Sequence, residues 1–402
     1  MKRRPYLVDL LVLAWLVAVV VAVLVSGSSW LILHLAALGV ISQAILYWAE
    51  HFTYTLNRVP IRDKALRWQQ IKTGSWAILA TLVLAGVVHS LPWPTALGAT
   101  GLAILAAWQA WELTRVRRRS LMGRFPIVVR YYATAALLLP WGLAQGTWLA
   151  IGGQPKAPLW WQASLQHGMD ESLRLGHSLT NILGWVAFTV LGTLLTFWPT
   201  MLRAQMDPKS TQHTISAWWW LLGGILVINV GAYTTRAVLL AGLAIYAIGL
   251  IWWGYGLVAP LRAKTPSEFA PLSALISLVW FALGYLYLVW TLATDTQALS
   301  LQYPRLGLVW GLGFGAQLVW AALSYLLPTT RSRGPAMAKE MLAIVNAAGV
   351  FRLTVWNLSL AALVAIWLGA LAVSPWWFLA PLLGVGAANL TALGAVLWKG
   401  KA

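Results

Sequence analysis

LGHSLTNILGWVAFTVLGTLLTFWPTMLR, residues Leu175 to Arg203, is the stretch from which the rest of the chain is read. No carboxylate, lysine or arginine occurs between Leu175 and Leu202. As a helix, such a run is long enough to cross a bilayer core about 30 Å thick. It carries a histidine, His177, near its start and a proline, Pro199, near its end. A variant of the same pattern returns at Leu33 to Arg58 and at Leu306 to Arg331. Anchored on Gly184, fifteen residues lead to Pro199 and nineteen to Arg203; from Gly313, fifteen lead to Pro328 and eighteen to Arg331; from Gly39, nineteen lead to Arg58. Two helices later, Gly101-Leu102-Ala103-Ile104 matches Gly242-Leu243-Ala244-Ile245. These spacings predict three copies of one four-helix unit, about 1–125, 126–265 and 266–402, within a single membrane domain. All three copies enter the membrane from the same side, so the expected arrangement is a parallel repeat around a pseudo-threefold axis.

The whole chain has the matching composition. Its 402 residues are 60% hydrophobic and only 9% charged, with a mean hydropathy of +0.73. That is an all-α polytopic membrane protein, with no room for a separate soluble domain. Twelve apolar spans are expected, at about 7–26, 29–50, 74–92, 94–114, 127–151, 176–200, 213–233, 236–258, 269–293, 304–327, 353–373 and 376–398. The net charge of +18 is distributed by loop. With the N-terminus cytoplasmic, 24 of the 28 Lys and Arg residues fall on the inner side; only Lys156, Arg174, Arg236 and Arg305 fall on the outer. This is the positive-inside pattern. It predicts a bacterial-type inner-membrane protein with both termini cytoplasmic, its basic loops meeting anionic headgroups rather than nucleic acid. The apolar run after Lys2, Arg3 and Arg4 has no small-residue cleavage site and reads as a retained first span. The absence of cysteine excludes disulfides, thiolate metal sites, cysteine-held iron–sulfur clusters and covalently attached haem.

Histidines are the informative polar residues, because all ten carboxylates are expected near helix ends or in loops. His34 and His177 precede their anchor glycines by five and seven residues and are expected near the outer face. His89 is expected near the outer end of its helix and His167 in the outer loop, whereas His51 and His213 belong to the inner side. His177, Asn181, Gly184 and Phe188 share one helical face, as do His34, Ala37, Leu38 and Ile41. Small residues beside an imidazole leave room for a flat macrocycle, and neutral imidazole is a normal axial ligand of haem iron. The cofactor-binding set is therefore His34, His177, Asn181 and Gly184, with His89 as an added metal ligand and a non-covalent, b-type haem as the cofactor. Copper is the alternative metal. The plain reading of each histidine is a hydrogen bond to a neighbouring helix. Seventeen residues, about 25 Å of helix, separate His34 from His51, so His51 would belong to a separate site. Glu50-His51-Phe52 reads as a second metal site, a quinone-head or proton-uptake site, or simply a pair between Glu50 and a lysine or arginine that fixes the helix end.

Twelve helices in three arcs, with histidines near the outer face, resemble the catalytic subunit of haem–copper oxidases and nitric oxide reductases. The likeness is closer to their divergent NnrS-like relatives and to the membrane modules found with copper nitrite reductases or multicopper oxidases. HLAALGVISQAILYWAEHF (His34 to Phe52) and HSLTNILGWVAFTVLGTLLTFWPTMLR (His177 to Arg203) carry the resemblance. It implies a haem–copper oxidase-like fold, with histidines of helices 2 and 10 on haem and of helices 6 and 7 on copper. Here helix 10 has no histidine and His213 is at the wrong end of helix 7, so the standard dinuclear centre cannot be built and oxygen reduction is not expected. The implied function is a haem-binding redox protein of nitrite or nitric oxide metabolism, an oxidoreductase if it is an enzyme, with no catalytic residue assignable. Its partners would be the lipid bilayer, a cupredoxin-type or copper nitrite reductase-type protein at the outer face, and quinol. The alternatives are a small-molecule or metal transporter using the same histidines, and a non-catalytic anchor for an outer-face enzyme.

Overall fold

The computed structural model describes residues 7–119, 125–165, 169–294 and 302–401; Lys2, Arg3, Arg4, Arg124, His167 and Asp295 lie outside the described residues. Among them the chain is helical throughout, without a strand. We number the long helices α1 (Leu7–Val25), α2 (Ser29–Leu56), α3 (Asp63–Val88), α4 (Pro92–Arg119), α5 (Pro126–Gly152), α6 (Met169–Leu202), α7 (Ser210–Tyr233), α8 (Arg236–Ala263), α9 (Phe269–Thr294), α10 (Tyr303–Arg331), α11 (Gly349–Trp367) and α12 (Trp376–Lys401). Short helices at Leu159–Ala163 and Pro335–Asn346 complete the described set. Left-handed Ala348 (φ 51°) breaks the chain between Pro335–Asn346 and α11.

Eleven helical spans among the described residues are long and apolar enough to cross a membrane, one fewer than expected. The expected span 94–114 lies in α4, an unbroken helix of 28 residues that falls outside this group. Its Thr95, Thr100, Gln109 and Glu112, and the glycines at 98 and 101, lower its hydropathy. Those small residues instead serve packing: a methyl built on Gly98 would lie 2.8 Å from Val83 of α3. Close backbone approach through small residues is the usual means of joining helices in lipid, where apolar burial drives little. The α7–α8 hairpin uses it repeatedly, and a methyl on Gly224 would lie 2.6 Å from the backbone of Tyr246.

The helices carrying the repeated pattern share an irregularity. α2, α6 and α10 each contain a π-helical segment, at Leu35–Ile41, Thr180–Ala187 and Val309–Ala316. The anchor glycines Gly39, Gly184 and Gly313 each stand fifth in their segment. A methyl there would lie 2.5 Å from the Trp15 ring, 3.1 Å from Leu138 and 2.6 Å from the Trp280 ring, respectively, each on the long helix before. A π-turn frees carbonyls from the i→i+4 ladder, and the freed groups need donors. The carbonyl preceding each anchor glycine finds one on another helix: Trp76 Nε1 donates to Leu38 at 2.9 Å, Tyr246 Oη to Leu183 at 2.9 Å, and Trp356 Nε1 to Leu312 at 3.3 Å. Arg58 and Arg203, nineteen residues after Gly39 and Gly184, both end their helices in the left-handed region (φ 53° and 52°).

The chain divides into two compact units, one comprising Leu7–Thr200 with Ala204–Ala263, the other built on Lys264–Ala402 and including Met201–Arg203. The first holds α1–α5, α7, α8 and most of α6. In the second, α9 packs on α10, α11 on α12, and the short helix Pro335–Asn346 against α10 and α12. Arg352, expected among the inner-loop cations, is buried here in the first turn of α11. Its guanidinium donates to Asn389 and to the carbonyl of Val345 near the end of the short helix, where a cation meets the negative end of the helix dipole.

Candidate functional site: a histidine pair between α2 and α6

His34 and His177 come together within the first unit. Their ring centroids are 6.1 Å apart and their planes differ by 13°. Each histidine stands at the boundary of a π-segment, His34 immediately before Leu35–Ile41 and His177 three residues before Thr180–Ala187. The extra residue in each segment rotates the start of the helix relative to its remainder, and so sets which way the imidazole faces.

Both imidazoles are held through Nδ1. His34 Nδ1 donates to the carbonyl of Trp30 at 2.8 Å, and His177 Nδ1 to the carbonyl of Gly142 on α5 at 2.8 Å. A carbonyl accepts only, so the proton belongs on Nδ1 in both rings and the Nε2 lone pair is the free donor. That tautomer is the one that binds metals through Nε2, with the carbonyl bond orienting the ring. The Trp30 indole stacks on His34, with centroids 4.3 Å apart and planes 23° apart. On the other side, a methyl at Gly146 would collide with Cε1 and Nδ1 of His177, so glycine at that place is what admits the ring.

Asn181 lies beside His177, and its Nδ2 donates to the His177 carbonyl one turn back. Its Nδ2 lies 2.8 Å from the His177 carbonyl and 3.1 Å from His177 Nδ1, and its amide fills the notch over Gly142. Gly184 does not open space for a ligand, since Leu138 covers it, as Trp15 covers Gly39. Behind His177, Asn229 Oδ1 accepts from Trp141 Nε1 (2.9 Å), Gln145 Nε2 (3.1 Å) and Thr180 Oγ1 (2.9 Å). This polar knot ties α5, α6 and α7 together at the level of the pair.

The remaining histidines lie elsewhere. His89 caps the end of α3. No group of three or more His, Asp or Glu is arranged to hold a metal ion among the described residues, so His89 does not extend the pair to a triad. His51 sits against the rings of Tyr47, Trp48 and Phe52. His213 lies beside Trp252 and Tyr255. Glu50, expected at the inner end of its helix, is buried within α2, which continues to Leu56. It forms an ion pair with Lys72, whose Nζ also donates to Gln109 Oε1. Lys72 was expected in a loop, but α3 begins at Asp63 and carries it into the interior. Trp30, Gly146, Asn229, Lys72 and Gln109 are among the residues of these clusters that sequence reasoning passed over. The i, i+4 spacing of Trp30 and His34 was the available signal for the first.

A metal bound here would be held by His34 and His177 through imidazole nitrogen, and would supply one-electron exchange or a Lewis acid. The observed centroids, 6.1 Å apart with planes 13° apart, bring the two imidazoles close enough that His34 and His177 could both be drawn to a single metal. Two imidazoles match the number of protein ligands haem iron asks for, while Trp15 and Leu138 cover the anchor glycines beside them. A haem supplies four equatorial nitrogens and asks the protein for two axial ligands, whereas a bare divalent ion asks for three or more. Compared with known proteins, the sequence matches no family model and no curated protein.

Proposed function

We propose that His34 and His177 are the axial ligands of one non-covalent, b-type haem, and that the protein is a membrane redox protein that passes electrons. The observation that carries this reading is the pair of near-parallel imidazoles with centroids 6.1 Å apart. Haem iron supplies reversible one-electron exchange; the protein's residues supply position. The carbonyls of Trp30 and Gly142 hold both Nδ1 protons, which keeps each Nε2 lone pair available. Gly146 leaves the room that the His177 ring occupies. In this reading the chain is a twelve-helix relative of the haem–copper oxidases, with α4 as the least apolar span. The shared π-segments and their capped carbonyls support the threefold repeat. The basic loops support an inner-membrane orientation with cytoplasmic termini, which puts the pair near the outer face. There it would serve a cupredoxin-type or copper nitrite reductase-type partner, with quinol as the electron donor.

One observation favours a second reading of the same site. Trp15 and Leu138 cover the two anchor glycines that would have made room for a macrocycle. A single copper ion between the two imidazoles needs no such room. Protein purified from cells grown with ample haem precursor and copper separates the two by pyridine haemochrome assay and metal analysis. About one haem per chain, lost in His34→Ala and in His177→Ala, is the expected result. Copper without haem, lost in the same variants, would replace haem by copper. Neither would remove the redox reading and leave transport or anchoring.

A further inference from the structure

Away from the histidines, α2, α3 and α4 enclose a second polar cluster. Glu50 and Lys72 form a buried ion pair, and Lys72 Nζ also donates to Gln109 Oε1. Gln109 Nε2 in turn donates to the carbonyl of Leu46 at 3.0 Å. One turn beyond Glu50, the buried Tyr54 donates through Oη to Glu112 Oε1 of α4 at 3.1 Å. Glu50 and Tyr54 are four residues apart on α2, and Gln109 and Glu112 three apart on α4, so each couple shares a helical face. The two carboxylates therefore face one cluster, near enough for their charges to repel. Two turns before Glu50, Gln43 is fully buried, and its Nε2 donates to the carbonyl of Thr73, the neighbour of Lys72, at 3.0 Å. Gln43 Oε1 accepts from no donor among the described residues. A buried acceptor left in this way calls for a proton-bearing group such as water.

Charge does not balance inside this cluster, where two carboxylates meet one buried ammonium. The next cation, Arg115, lies 3.5 Å from Glu112 Oε2, but its side chain is 42% exposed and water screens it. Glu112 is itself 17% exposed, which gives the cluster an edge toward the arginine-rich end of α4 at Arg117, Arg118 and Arg119. The other titratable groups on the helices packed here are the buried Asp9 of α1, His51 of α2, the exposed Arg67 of α3, and Arg130, Tyr131 and Tyr132 of α5. Of these, His51 sits among aromatic rings, Arg130 lies over Trp218, and Tyr131 and Tyr132 bond to Thr214 and Thr193.

We propose that Glu50 and Glu112 share one proton, and that this cluster is a proton-binding site in exchange with water at the arginine-rich end of α4. One proton makes two carboxylates and an ammonium neutral, the state that apolar surroundings favour. The step balances in itself: hydronium leaves a proton on a carboxylate oxygen, where an O–H bond forms, and departs as water. Lys72 keeps its own protons. Tyr54 donates to Glu112 as a carboxylate and, by rotating its hydroxyl, accepts from it as an acid. The proposal is independent of which metal the histidine pair holds, since sixteen residues of α2, roughly 24 Å, separate Glu50 from His34.

The test is infrared difference spectroscopy of the full-length protein in lipid vesicles, between acid and alkaline buffers and in both H2O and D2O. A protonated carboxyl group is read by its C=O stretch, apart from the ionised carboxylates. Wild type is expected to show that band for one carboxyl group per chain at neutral pH, shifted to lower frequency in D2O. Glu50→Gln and Glu112→Gln each remove the excess carboxylate, so each is expected to lose the neutral-pH band although one carboxylate of the cluster remains. Either variant decides the matter if the other fails to fold. Asp9→Asn removes a buried carboxylate from another helix and is expected to keep the band. A wild-type protein without the band at neutral pH, a band that survives in either folded glutamine variant, or a band lost in Asp9→Asn would overturn the shared proton. A band that does not move in D2O would overturn its exchange with water.

Discussion

His34 and His177 meet because three small structural facts agree: two carbonyls that hold Nδ1, and one glycine, Gly146, that leaves room for a ring. Gly146→Ala is therefore expected to displace His177 and cut cofactor content at least several-fold, read by haem or metal per chain, while helix content by circular dichroism stays unchanged. The Glu50–Lys72 pair makes a different prediction. The Lys72 and Glu50 side chains are only 3% and 4% exposed, within helices long and apolar enough to cross a membrane. Removing one partner of a buried pair leaves an uncompensated charge and typically costs about 3–5 kcal/mol. Lys72→Met should destabilise by about that amount in thermal or denaturant unfolding, and Glu50→Leu with Lys72→Met together should recover most of it. An undiminished stability in Lys72→Met would mean that the pair is not buried as described. Sequence alone made a basic partner for Glu50 legible, but not its identity. Lys72 lies in DKALRWQQIK, a polar first part of α3, and hydropathy marks only the apolar part that begins at 74.

At the scale of the element, the π-segments decide which faces meet. Deleting Ala36 would turn Leu35–Ile41 toward regular α-helix and rotate His34 by about 100° relative to the rest of α2. Cofactor content is then expected to fall to background with the helix still formed; a deletion variant that keeps its cofactor would show that the bulge is dispensable. The capped carbonyls make a smaller prediction. Trp76→Phe keeps the ring but leaves the buried Leu38 carbonyl unpaired, at a cost of about 1–3 kcal/mol, measured by unfolding in detergent. The anchor glycines and their spacing were legible in the sequence, because a glycine under a large side chain leaves a gap in an otherwise bulky run. The π-turns were not, since no residue pattern distinguishes an i→i+5 bond from an i→i+4 bond. Their function as space for a macrocycle was read from size alone, and Trp15 and Leu138, distant in sequence, take that space.

For the whole molecule, composition was sufficient to reveal an all-helical membrane protein, and eleven of the twelve expected spans meet the criterion of length and hydropathy. α4 departs because polar residues lower its hydropathy, and of these Thr95 and Gln109, with Gly98, face neighbouring helices. The distribution of Lys and Arg predicts the sides. As the chain has no cysteine, single substitutions report them without background. Leu159→Cys is expected to react with a membrane-impermeant maleimide from outside the cell and Arg118→Cys only after permeabilisation; the reverse would invert the topology. The central claim is that His34 and His177 ligate one iron. The most direct measurement is the absorption spectrum of the purified protein, oxidised and then dithionite-reduced, for wild type and for His34→Ala and His177→Ala. A Soret band with sharp reduced bands in wild type, lost or converted to a high-spin form in both variants, is the predicted result. A wild-type spectrum without haem bands, or haem bands that survive unchanged in both variants, would contradict it.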